Sequence, residues 1–187
     1  MGSDKKDLPV AGETLLDRML SKVRIGNVAV VAKNGESFPG DLRFVADQST
    51  EFAPIFGVDA ALGDASMRGA EWAVLLAVDL PFLRTRTISR LTEIASGELS
   101  ACRAVVPEAD GFLQTLAACY RPSLRAEIAT RLAEGKTSLH HLIRSGPHRI
   151  VSLSELGAGV DEFRNVNTPG EAESAEQQLA SERIPVR

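Results

Sequence analysis

Asp79 ends the run "WAVLLAVDLPF", which is apolar until that carboxylate and turns at Pro81. A rigid strand that delivers one carboxylate can hold a hard cation such as Mg²⁺, which takes oxygen donors. A solvated strand-end aspartate or a helix N-cap would read the same way. Asp47 closes a second apolar run, "LRFVAD", although the "ADQS" around it is also turn chemistry. In "NVNTP", Asn165 and Asn167 flank Val166. In an extended segment both amides then point one way, where they can bond a polar ligand or ligate a metal through oxygen. Lys5 and Lys6 are compact charges of the kind that pair with phosphate, or else ordinary solvating lysines.

Such residues need elements to hold them. Leu15, Leu16, Met19, Leu20 and Val23 share one helical face, with Thr14 and Asp17 placed to cap it. "NVAVVAK" and "LRFVAD" read as strands, then "PIFGVDAALGDA" as a helix with Pro54 near its first turn. "EWAVLLAVDLPF" is the strongest strand, continuous enough to be covered on both faces. "TRTISRLTEIASG" and "PSLRAEIATRLAEG" read as helices that stop at Gly97 and Gly135. "CRAVVP", "FLQTLAACY" and "HRIVSL" read as strands, and "TSLHHLIRSG" as a short helix. After "NVNTP", a capping box of Thr168 and Glu171 with Pro169 at the first position starts a last helix. Alternating strands and helices predict an α/β domain over 1–187 with a mainly parallel sheet. Ligands of such sheets bind beyond the carboxyl ends of the strands, where Asp47 and Asp79 stand.

The 187 residues suit one domain, and 44% apolar residues are enough for a sizeable core. A net charge of -4 argues against a general nucleic-acid binder, which needs a basic surface. No apolar run is long enough to span a bilayer, and the first residues have no secretion-signal pattern, so a cytoplasmic protein is expected. Cys102 and Cys119 lack CxxC spacing and are expected to be buried thiols. His140 and His141 are adjacent and His148 falls in a loop, so the histidines suggest a solvated surface and no metal site.

Taken in order, "MGSDK", "LPVAGETLLDRML", "FVADQSTEFAPIFGVDAAL", "LLAVDLPFL", "AVVPEADGFLQTLAACYRPSL" and "FRNVNTPGEAE" resemble segments of the molybdenum cofactor guanylyltransferase family over nearly the whole chain. "NVNTP" together with the "DxPF" strand end is the most specific part. The resemblance implies a three-layer, Rossmann-like nucleotidyltransferase fold. It implies transfer of a guanylyl group from GTP to molybdopterin, with Mg²⁺ on Asp79 and Asn167. Lys5 would act on the β and γ phosphates and, with Asp79, form the catalytic pair. Asp47 and the backbone around Pro54 and Gly57 would meet the guanine edge, and Asn165 and Asn167 the pterin substrate. Molybdoenzyme chaperones are the implied partners. Met1 falls inside the family's phosphate loop, so its first strand and the "LAGGxSxR" part are expected to be missing and GTP binding to be weak. A related enzyme using CTP or another nucleotide, or an inactive relative that only binds, fits the same residues.

Overall fold

The computed structural model describes residues 7–23, 26–33, 38, 42–98 and 101–182. The chain enters through a tight hairpin, β1 (Pro9–Val10) and β2 (Glu13–Thr14), which turns on Ala11 and Gly12 at φ 55° and 81°. Helix α1 (Leu15–Lys22) follows directly. The Thr14 hydroxyl accepts from the Asp17 amide at 3.0 Å, as the sequence predicts, and the face carrying Leu15, Leu16 and Met19 is buried.

Strands β3 (Val30–Lys33) and β4 (Phe44–Asp47) pair in parallel, in a register that sets Lys33 opposite Asp47. Helix α2 (Pro54–Met67) then leads to β5 (Ala73–Leu76), and α3 (Thr85–Ser96) follows the turn after Asp79. The remaining strands are β6 (Ala104–Ala109), β7 (Phe112–Leu113), β8 (Ala117–Tyr120) and β9 (Arg149–Ser152). They join β5 in a five-stranded sheet of order β5-β8-β6-β7, with β9 on β6. β8 is antiparallel to both β5 and β6, and β9 is parallel to β6, so β5, β6 and β9 run alike. Among the described residues the β3–β4 ribbon shares no ladder with this sheet.

Pleating divides the core. Val105 of β6 and Ala117 and Cys119 of β8 pack with Ile88 and Leu91 of α3 on one face. Ala104 and Val106, with Ala118 and Tyr120, pack on the other face against Ile55, Val58 and Leu62 of α2. Helices α4 (Arg125–Ala133) and α5 (Leu139–Ser145) add Ile128, Leu142 and Ile143 to that second face. Helix–sheet–helix layering of this kind is the three-layer α/β arrangement.

Two sequence expectations change in detail. "FLQTLAACY" is not one strand. Asp110 and Gly111, at φ 50° and 77°, turn β6 back into the two-residue β7, and the chain turns again at Gln114 before β8. Asp-Gly is a strong hairpin signal, and here it outweighs the apolar run. His148 is not solvated. Both of its ring nitrogens are buried without a hydrogen-bond partner, whereas His140 and His141 are exposed. A Cβ on Gly146 would lie 2.3 Å from its Nε2, so a side chain there would force the ring to move. Cys102 and Cys119 are buried free thiols, as expected, and burial pushes the Cys119 thiol up to about 12.

Burial holds the pKa of His148 below its ordinary value of 6.5; nearby Glu127 opposes this, and Arg103 and Arg131 reinforce it. The unfolded chain therefore binds the proton first. Stability from this site is complete above the unfolded value of about 6.5 and is lost as pH falls below it. Urea unfolding at steps from pH 7 to pH 5 should show this decline, and His148→Leu should flatten it.

Candidate active site

Two of the candidate carboxylates stand at strand carboxyl ends, Asp47 closing β4 and Asp79 just beyond β5. Asp79 leaves β5 on a turn and is half-buried, with its Oδ1 closed off from solvent. Its backbone carbonyl accepts from the Val166 amide at 2.9 Å. That bond draws the Asn165–Asn167 segment alongside the strand end. Val166 is buried in a cluster with Phe82 and with Ala172, Ala175 and Leu179 of α7 (Pro169–Glu182). Asn165 and Asn167 on either side of it are exposed. Val166 thus faces the core, with an exposed asparagine on either side of it.

The segment is held from its far end as well. The Glu171 carboxylate accepts from the amides of Asn167 at 2.7 Å and Thr168 at 3.1 Å, and the Thr168 hydroxyl accepts from the Glu171 amide at 3.3 Å. The predicted capping box is therefore present. After Asp79, the Pro81 carbonyl accepts from Lys22 Nζ at 2.5 Å and from Arg18 Nε at 3.0 Å. Burial, and then Arg18, lower the Lys22 pKa to about 8. Glu162, buried, accepts from the Arg84 amide at 3.1 Å and from the Thr87 hydroxyl at 2.6 Å. A side chain 75 residues away in sequence so caps α3, whose own N-cap residue Arg84 supplies no side-chain cap. Sequence reading missed Arg18, Lys22 and Glu162, because nothing local marks a helix cap or carbonyl clamp supplied from so far away.

The second half of the site surrounds Asp47, which is only 7% exposed. One oxygen accepts from the Ser49 amide at 2.9 Å, and the other pairs with Lys33 Nζ at 2.8 Å. The same ammonium donates to the carbonyls of Ser49 at 2.8 Å and Glu51 at 2.7 Å. Asp47 stands at a strand end, as expected, but both its oxygens are occupied within the chain. Lys33 was missed by sequence reading, although oppositely charged residues closing two neighbouring strands were the available signal. Pro54 opens α2, and Gly57 lies in its first turn with its Cβ position 3.9 Å from Val31. Lys5 lies outside the described residues.

Among the described residues no three His, Cys, Asp or Glu side chains gather as a metal cage. One carboxylate with a neighbouring amide suits Mg²⁺, which keeps several waters and uses one or two carboxylates with substrate phosphates. No described helix is long and apolar enough to cross a membrane.

The three-layer α/β fold carries acidic groups at the carboxyl ends of strands, where ligands of such sheets bind. Solved structures share it: molybdopterin-guanine dinucleotide biosynthesis protein A from Archaeoglobus fulgidus has a TM-score of 0.75 at 20% identity, covering 95% of this chain and 91% of that one. The 2-C-methyl-D-erythritol 4-phosphate cytidylyltransferase from Thermus thermophilus has a TM-score of 0.74 at 21% identity, covering 96% and 95%. The MobA-like NTP transferase domain model matches residues 1–150, and the chain belongs to that family. Its sequence is 35% identical over 167 residues to a probable molybdenum cofactor guanylyltransferase of Opitutus terrae, covering 83% of this chain and 79% of that protein. It is 30% identical over 185 residues to a protein of the same description from Mycobacterium avium, covering 96% and 90%.

Removing the Lys33 ammonium would leave the Asp47 carboxylate buried and the loop carbonyls unbonded. Lys33→Met should cost about 1–3 kcal/mol, the penalty for an unsatisfied buried polar group. A urea melt at neutral pH measures it; an unchanged midpoint would show that the clamp is not what holds this loop.

Proposed function

We propose that this chain transfers the guanylyl group of GTP to the terminal phosphate of molybdopterin, giving the guanine dinucleotide form of the cofactor and pyrophosphate. The observation that carries this reading is the Val166–Asp79 backbone hydrogen bond at 2.9 Å, which brings the Asn165–Asn167 segment to the strand end that carries Asp79, in a MobA-like NTP transferase. The names of the relatives from Opitutus terrae and Mycobacterium avium support the choice of substrates.

In the reaction an oxygen of the molybdopterin phosphate forms a bond to the α-phosphorus, and the bond from that phosphorus to the bridging oxygen breaks, with pyrophosphate leaving. Such chemistry asks for positioning and charge neutralisation, not a covalent nucleophile. Asp79 and Asn167 would hold Mg²⁺, which supplies charge neutralisation on the phosphate oxygens. Asn165 would orient the pterin substrate. The Val166 bond and the Glu171 cap hold the backbone that carries Asn165 and Asn167, which supports a role for them in positioning substrate. Asp47 with the backbone near Pro54 and Gly57 forms the base side, and Lys5 acts on the β and γ phosphates. Guanine offers N1–H and N2–H₂ as adjacent donors, which a carboxylate suits; here the Asp47 carboxylate would shift from Lys33 to the base. The reaction runs in the cytoplasm, and molybdoenzyme chaperones take the product.

Asp79→Asn should lower transfer at least about a hundredfold, comparable to removing one group aimed at developing charge, while leaving the thermal melting curve in place. The measurement is pyrophosphate release with GTP, molybdopterin and Mg²⁺; transfer at the parent rate would remove Asp79 from the mechanism. In the same assay GTP should outperform CTP, and Asp47→Ala should reduce that preference.

A further inference from the structure

Phe52 is 93% exposed, the most open large apolar side chain among the described residues. An exposed ring on a loose loop would mean little. The loop beneath this one is tied at every turn. Asp47 accepts from the Ser49 amide, the Ser49 hydroxyl accepts from the Glu51 amide at 3.1 Å, and Lys33 donates to the carbonyls of Ser49 and Glu51. The ammonium that makes these bonds also lies 5.4 Å from the Phe52 ring centre and 5.8 Å from that of Phe56. Cation–π attraction at this distance holds a ring in place from one face. The fold therefore orders a loop, braces one face of an aromatic ring and leaves the ring in solvent.

The ring's position narrows its partner. Phe52 lies one residue before the N-cap of α2, and it shares the Lys33 ammonium with Asp47. It thus adjoins the side of the site where the base is placed under the guanylyl-transfer reading, on which this inference rests. A flat heteroaromatic ring is what such a surface accepts, because every base has a π-face and stacking needs no hydrogen-bond match. We propose that Phe52 is the surface on which the guanine of GTP stacks, with Lys33 as the positioning residue that holds the ring for it. The ring adds affinity for a base without choosing among bases, and the choice is left to groups at the base edge.

The experiment is an NMR titration of ¹⁵N-labelled chain, which reads affinities into the millimolar range. Parent, Phe52→Ala and Phe52→Tyr chains are each titrated with Mg²⁺–GTP and, as a base-free probe, with Mg²⁺–pyrophosphate. Phe52→Ala should bind GTP about tenfold more weakly, within the range of base–aromatic stacking. Its pyrophosphate binding should not change, and Phe52→Tyr should restore GTP binding. Equal GTP affinity in the parent and Phe52→Ala chains would overturn the stacking and leave guanylyl transfer standing. An equal loss for pyrophosphate would also overturn it, since the ring would then only shape the site. A parent chain that bound pyrophosphate but not GTP would overturn guanylyl transfer and the stacking with it.

Discussion

The hydrogen bond from the Val166 amide to the Asp79 carbonyl is the point on which the site depends. It joins two segments far apart in sequence, and each is held rigid by its own means. Asp79 follows a strand paired along its whole length with β8, while Val166 is pinned by the buried side chains of Phe82 and α7. A backbone bond of this kind adds only about 0.5–1.5 kcal/mol to stability. Its weight lies in geometry, because moving either end would separate the carboxylate from the two amides. The Pro81 carbonyl with its two cations and the Glu162 cap on α3 brace the same turn from the other side.

Much of this was legible because the residues concerned signal locally. An apolar run ending in one aspartate marks a strand end whatever the rest of the chain does, and Thr-Pro-x-Glu marks a helix start. β5, α7 and the alternation of Asn165, Val166 and Asn167 follow from such patterns. The groups that escaped are those whose meaning is set by partners distant in sequence. Glu162 looks like one more surface acid until the fold buries it beside Thr87, and Lys33 like a strand-end lysine until β4 brings Asp47 opposite. His148 escaped for a related reason: the close pass of Gly146 over its ring, which no local pattern announces. The break in "FLQTLAACY" was within reach, since Asp110-Gly111 names its own turn.

The two halves of the site are built on different principles. On the Asp79 side, exposed asparagines stand on a buried frame of apolar side chains. On the Asp47 side, the acid and base already satisfy each other, and a ligand's polar edge must compete with an existing ion pair. Competition of that sort makes a site selective, since only a ligand that replaces the lost bonds gains from entering.

α2 packs on β3, β4 and β5 alike, while the β3–β4 ribbon shares no ladder with the main sheet among the described residues. Strands in one ladder sit at a spacing set by their hydrogen bonds, close to 4.8 Å. Elements that pack on a helix face are spaced from it by side-chain volume instead. The spacing of α2 on the main sheet is therefore set by Ile55, Val58 and Leu62, which pack against β6 and β8. Trimming or enlarging one of them would act like changing a shim: the helix would settle at a new height on the sheet and carry with it the ribbon that packs on its other side.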